Sequence, residues 1–241
     1  MKKLSKSAEL LWVLGIVFIA LGVAICSKAD LGISMIAAPA FVIQEAISSL
    51  WSGFSVGMIE YIFQGVLIAV LCVCVQRFNW RYLLAFAVAF LYGNVLDLFM
   101  WVLGPVSFDA VWLRWIMLLV GDIVTAFGVA CFFRTYMPAQ VYEIFVSEMS
   151  RRYRIGIPKM KLAFDLSLLV ISIALAFLLF GDAGEFDWST IAYASFHSIG
   201  LGTLFTAVVN SPFITLAGKL LDKIFGSEPL FPKLERVLKR D

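Results

Sequence analysis

Charge is scarce in this chain. Asp, Glu, Lys and Arg make up only 15% of its 241 residues, against 62% that are hydrophobic. A soluble globular domain carries about a quarter charged residues, so the material for a water-facing surface is missing. Histidine is reduced to His197, which excludes a catalytic or zinc-binding constellation built on several imidazoles. The four cysteines, Cys26, Cys72, Cys74 and Cys131, lie in or beside apolar runs and have no further Cys or His at zinc spacing. Free thiols packed as small hydrophobes are expected. No nucleophile elbow, H-E-x-x-H helix or phosphate-cradling glycine loop occurs. Gly200-Leu201-Gly202 lacks the strand before it that a nucleotide fingerprint needs, and reads as a close-packing device. These absences argue against an enzyme, and neither a metal nor a cofactor is expected. The net charge of +2 offers no basic surface to a nucleic acid.

What the chain has instead is long apolar runs, at 10–27, 57–76, 82–103, 115–133, 162–180 and 189–210. Each is about the length a helix needs to cross a hydrocarbon core of about 30 Å. Helices are the expected form, because lipid offers the backbone no hydrogen-bond partner. The first run has a basic start but no A-x-A cleavage site after it, so it is read as a retained helix rather than a signal. With the N-terminus inside, 17 of the 19 Lys and Arg residues fall on the cytoplasmic side. Only Lys28 and Arg114 fall outside. That asymmetry predicts both termini in the cytoplasm.

The chain also resembles itself. Leu21-Gly22-Val23-Ala24 matches Phe127-Gly128-Val129-Ala130, each followed by a basic residue, Lys28 or Arg134, and then by a segment too short to span. Trp80 and Trp188 stand just before the third and sixth runs. Three crossings per half force the second half to enter from the opposite side. The expected fold is therefore all-α and polytopic, six transmembrane helices in a 3+3 inverted-topology repeat. Residues 1–104 form the first half, 105–212 the second, and 213–241 a basic amphipathic tail along the anionic inner leaflet. Inverted repeats recur in secondary transporters, with the site near the midplane. The short segments 32–50 and 138–150 are either interfacial amphipathic helices or re-entrant half-helices lining a cavity.

The layout resembles the YczE/YyaS/YitT group of small bacterial membrane proteins. The likeness rests on Leu21-Gly22-Val23-Ala24 with Ala29-Asp30-Leu31-Gly32, on Gly93-Asn94-Val95-Leu96-Asp97, and on Phe127-Gly128-Val129-Ala130, and covers about 10–215. Where that group usually has a glycine-proline pair, this chain reads Tyr136-Met137-Pro138. The resemblance implies a multi-pass protein of the bacterial cytoplasmic membrane, and names no substrate.

Carboxylates inside a membrane normally face the bundle interior or water. Asp97 and Asp122 are equidistant from the middle of the connection between the third and fourth runs, so an antiparallel hairpin would bring them to similar depth. Asp97 shares a helix face with Asn94, and Asp122 with Thr125. Two such groups in a low dielectric cannot both ionise cheaply and would share a proton or a cation. Glu60 and Gln64, one turn apart near the outer end of the second run, would line an outward vestibule, unless Glu60 is simply a solvated headgroup acid. Asp165 pairs with Lys161 one turn earlier and occupies the repeat position of Gln64. His197 is expected on the sixth run as a helix–helix hydrogen-bonding group.

The leading expectation is a small secondary transporter or permease for a small solute or ion, coupled to H⁺ or Na⁺ through the Asp97–Asp122 pair. Asn94, Thr125, Gln64 and Glu60 would assist. The competing expectation is a membrane scaffold or accessory subunit that transports nothing. Its partners would be the lipid bilayer with a second copy or another membrane protein.

Overall fold

A computed structural model of the protein describes residues 8–48, 50–51, 53–181, 197–225 and 231. Among these residues there are eight helices and no strand. They are α1 (Ala8–Ala29), α2 (Ala38–Ser48), α3 (Val56–Val75), α4 (Arg81–Val102), α5 (Val111–Phe132), α6 (Val141–Tyr153), α7 (Ile157–Phe180) and α8 (Leu201–Ile224). Six of them, all but α2 and α6, are long and apolar enough to cross a membrane.

The termini of these helices follow from local chemistry. The Ser55 side chain accepts the Met58 N–H and caps α3, while Pro158 sits in the first turn of α7. Such a proline sacrifices no internal bond. Gly181 ends α7 in the left-handed conformation at φ 69°.

Five of the six expected crossings fall where the apolar runs placed them, within a few residues at each end. The sixth does not. Its run was read as 189–210, with Lys219 and Lys223 in a tail, whereas the helix is Leu201–Ile224 and passes straight through the boundary drawn after 212. Pro212 inside it would ordinarily argue for an end. The last turns are fixed from outside, because the Arg134 guanidinium pairs with both oxygens of Asp222 at 2.6 and 2.8 Å. Residues 182–196, including the start of the expected sixth run and Trp188, lie outside the described residues. So do Lys233, Arg236, Lys239 and Arg240 of the expected tail.

α1 and α5 form the centre of the bundle and pack along their whole length. Glycine permits it. A Cβ added to Gly22 would sit 2.6 Å from the Gly121 carbonyl oxygen, and one added to Gly128 would sit 2.9 Å from that of Gly15. The backbones touch, which is how helices associate where no hydrophobic effect drives them together. Gly15 facing Gly128 and Gly22 facing Gly121 makes the two helices antiparallel. A second backbone contact, Gly57 against Gly93, locks α3 onto α4. α4 packs on α1, and α8 packs on α5.

The short helices are buried at their starts and exposed at their ends. α2 packs on α3 and α7, while α6 packs on α3, α4 and α7. Ser34 accepts from the backbone N–H groups of Ala37 and Ala38, so the entry into α2 keeps its polar groups satisfied inside the protein. Polarity is inverted relative to a soluble protein. Glu60, Gln64, Asp122 and Thr206 are buried, while Val66, Val73, Leu98, Val170, Leu178 and Val208 are exposed.

Candidate functional site

The expected pair of aspartates is not brought together. α1 packs against both α4 and α5, which do not pack along one another. Asp97 lies five residues before the end of α4 and Asp122 eleven after the start of α5. At 1.5 Å per residue the six-residue difference offsets them by about 9 Å in depth. The reading that matched their depths placed the start of α5 too late.

Each aspartate has its own partners. Half-buried Asp97 accepts the Ser55 hydroxyl at 2.6 Å and the Gly57 N–H at 2.7 Å. It therefore ties α4 to the positive end of α3, a stabilising place for an anion. Asp122 is buried and accepts the Asn210 amide of α8 at 2.9 Å. Asn94 is exposed and turns its amide to the Phe90 carbonyl of its own helix, so it joins no site. Thr125 is buried but donates within α5, to the Gly121 carbonyl at 2.9 Å.

A different cluster forms around a small cavity of about 20 Å³ among buried side chains. α1, α4 and α5 supply Ile19, Val23, Tyr92, Thr125 and Val129. α3 supplies Glu60, α7 Lys161 and α8 Asn210. The remaining wall comes from the starts of the two short helices, with Ser34 and Ala37 leading into α2 and Gln140, Tyr142 and Glu143 opening α6. Segments 32–50 and 138–150 therefore reach the interior, as the re-entrant alternative requires.

Glu60 is 1% exposed and Gln64 0%, so Glu60 is no solvated headgroup acid. Its Oε1 accepts the Tyr142 hydroxyl at 2.8 Å. Lys161 pairs with Asp165 at 3.3 Å, as their spacing predicts. The Glu60 Oε2, Glu143 Oε2, Asp122 Oδ2, Gln140 Nε2 and Asn210 Oδ1 atoms are buried and have no hydrogen-bond partner among the described residues. Burial pushes the Glu143 carboxyl up to about 7, against the pull of the Lys161 ammonium.

The two ends of the bundle differ. At the end that carries Arg81 and Arg134, an open vestibule of about 260 Å³ lies between α4, α5 and α6, lined by Tyr82, Tyr136, Ser147 and Glu148 among others, and Glu143 forms part of its wall. Both ends carry cross-links, Arg134 to Asp222 and Trp12 Nε1 to the Pro138 carbonyl at the vestibule end, and others at the opposite end. Arg114 pairs with Asp30 at 2.9 Å, and Lys28 donates to the Gly104 carbonyl. The Ile33 N–H donates to the Ser198 carbonyl and the Gly202 N–H to that of Leu31. His197 is not on a helix. It lies in the turn before α8, bonded through Nδ1 to Glu45 at 3.0 Å and stacked on Phe180.

Of the residues that sequence reasoning singled out, Glu60 and Thr125 line this cavity, while Gln64 and Asp122 are buried without lining it; Glu143, Tyr142 and Gln140 were not singled out. Glu143 falls on the segment 138–150, which is too short to span. The signal that could have found it is a carboxylate in the first turn of a helix too apolar at its start to lie in water.

Six membrane-length helices around a polar interior that two short helices enter define a multi-pass, all-helical membrane protein. The chain belongs to the family of unknown function DUF6198, whose model matches residues 6–219. No match to it was found among curated proteins or among solved structures.

Proposed function

We propose that the protein is a small secondary transporter of the bacterial cytoplasmic membrane, with its N-terminus inside and its central cavity as the site. The observation that carries this reading is the row of unpartnered polar atoms around that cavity. A buried unpaired polar group costs about 1–3 kcal/mol, and the four that line the cavity, on Glu60, Gln140, Glu143 and Asn210, are together comparable with the stability of a domain, about 5–15 kcal/mol. A bundle selected only for packing would have no reason to keep them. A site that takes up and releases a charged or polar solute, water or protons does.

The arrangement of the halves supports the same reading. The alignment that lays Gly22 on Gly128 also lays Gly15 on Gly121, so the contacts Gly15–Gly128 and Gly22–Gly121 exchange under one operation. That is what a two-fold axis between inverted repeats produces. Lys28 and Arg134 occupy equivalent positions after α1 and α5. One grips the end of α4 and the other the end of α8, at opposite ends of the bundle. α2 of one half packs on α7 of the other, and α6 packs on α3. Short helices that converge on a site at the repeat interface are the pattern of alternating-access carriers. With the basic end inside, the vestibule faces the cytoplasm.

The test is flux of candidate solutes in proteoliposomes of the full chain. Glu60→Gln is expected to lower it at least tenfold, and Asp97→Asn to leave it within twofold. Equal loss in both variants would remove the cavity as the site. A chain inert toward every solute while retaining its fold would favour a scaffold.

A further inference from the structure

Among the described residues, Glu143 alone of the carboxylates borders both the cavity and the vestibule. A third void, of about 10 Å³, lies between Glu143, Tyr142, Lys161 and Phe164. Glu143 is 8% exposed and its Oε2 has no partner among the described residues. A group in this position borders the open vestibule on one side and the buried interior on the other.

The charge balance defines what it must handle. Facing Glu143 are Glu60 from α3, Tyr92 from α4, Lys161 and Asp165 from α7, and Tyr142 on its own helix. Arg81 and Glu148 stand in the vestibule wall, and the neighbouring parts of α1 and α5 present apolar or hydroxyl side chains. Lys161 is engaged by Asp165. Lys161 is thus, among the described residues, the one close cation that Glu143 and Asp165 share, and with Glu60 beside them three buried carboxylates facing one ammonium cannot all stay charged cheaply. Among the described residues no three acidic, thiol or imidazole side chains converge as a metal cage. A cavity of about 20 Å³ has room for about one water and none for a hydrated ion.

We propose that Glu143 is the carboxyl that exchanges a proton with the inner aqueous phase and shares it with Glu60 across the cavity. On loading, an acid in the vestibule gives its proton to Glu143 Oε2. An O–H bond forms there, one breaks on the donor, and the conjugate base leaves through the vestibule. Glu60 is the second acceptor, its other oxygen held by the Tyr142 hydroxyl. The role in coupling rests on the transport reading, whereas the proton exchange does not.

The experiment titrates the full chain in nanodiscs from about pH 8.5 to about pH 5.5, with dye-detected proton uptake and infrared difference spectra of the carboxyl region. Wild type and Asp109→Asn, a substitution in the exposed connection at the opposite end, are expected to gain a protonated-carboxyl band. Glu143→Gln should lose that band and take up one proton fewer per chain. Glu143→Asp should keep the uptake and move the band. That variant carries the test if Glu143→Gln does not fold. Unchanged uptake in Glu143→Gln, or an unmoved band in Glu143→Asp, would overturn the proposal, as would loss of the band on adding Na⁺ at constant pH. Titration at Glu143 without any flux would sink the transport reading alone. Flux with no titration at Glu143 would sink this inference alone.

Discussion

At the residue scale, a carboxylate in a membrane helix can be either a joint or part of a site, and its partners distinguish the two. Asp97 has both oxygens occupied, by a hydroxyl and by a backbone N–H at a helix start. It acts as a joint between α3 and α4. Asp97→Asn should cost about 1–3 kcal/mol, read as a lower unfolding midpoint in detergent. Glu60, Glu143 and Asp122 each keep one oxygen buried and unpartnered, a cost without structural return. Asp97, Glu60 and Asp122 were all singled out by the rarity of charge in apolar runs. Neither hydropathy nor spacing could separate them, since the partner in each case comes from a helix distant in sequence.

At the element scale, glycines determine which helices touch. A Cβ on Gly22 would meet the Thr125 hydroxyl at 2.2 Å and the Gly121 carbonyl at 2.6 Å, whereas one on Gly15 has 3.2 Å to its nearest neighbours. Gly22→Ala should therefore destabilise by about 1–3 kcal/mol through overpacking. Gly15→Ala should cost clearly less. Thermal unfolding of the two variants side by side measures the difference, and equal midpoints would mean that α1 and α5 do not meet backbone to backbone. The same scale explains the misplaced sixth helix. Lys219 and Lys223 look like a tail to a hydropathy window, but the Arg134–Asp222 pair holds the end of α8 against α5. Hydropathy registers the charges and not the partner that accommodates them.

For the whole molecule, the vestibule has Arg81 in its wall, and the positive-inside rule predicts that this end faces the cytoplasm. A membrane-impermeant maleimide should label Ser147→Cys, exposed in the vestibule, in inside-out vesicles. It should label Ser107→Cys, exposed between α4 and α5, in right-side-out vesicles. The reverse pattern would invert the orientation and make the vestibule outward-facing.

The number of long apolar helices was legible in the sequence, because hydropathy is a local sum along the chain. The glycine motifs near Gly22 and Gly128 were legible as a repeated pattern, and they proved to be the backbone contacts at the centre of the bundle. What only the tertiary structure decided is which polar residues share a space. α1 lies between α4 and α5 and separates Asp97 from Asp122, while the start of α6 turns inward and carries Glu143 to Glu60's cavity. That outcome depends on the order in which helices pack in three dimensions, which no periodicity along one helix records.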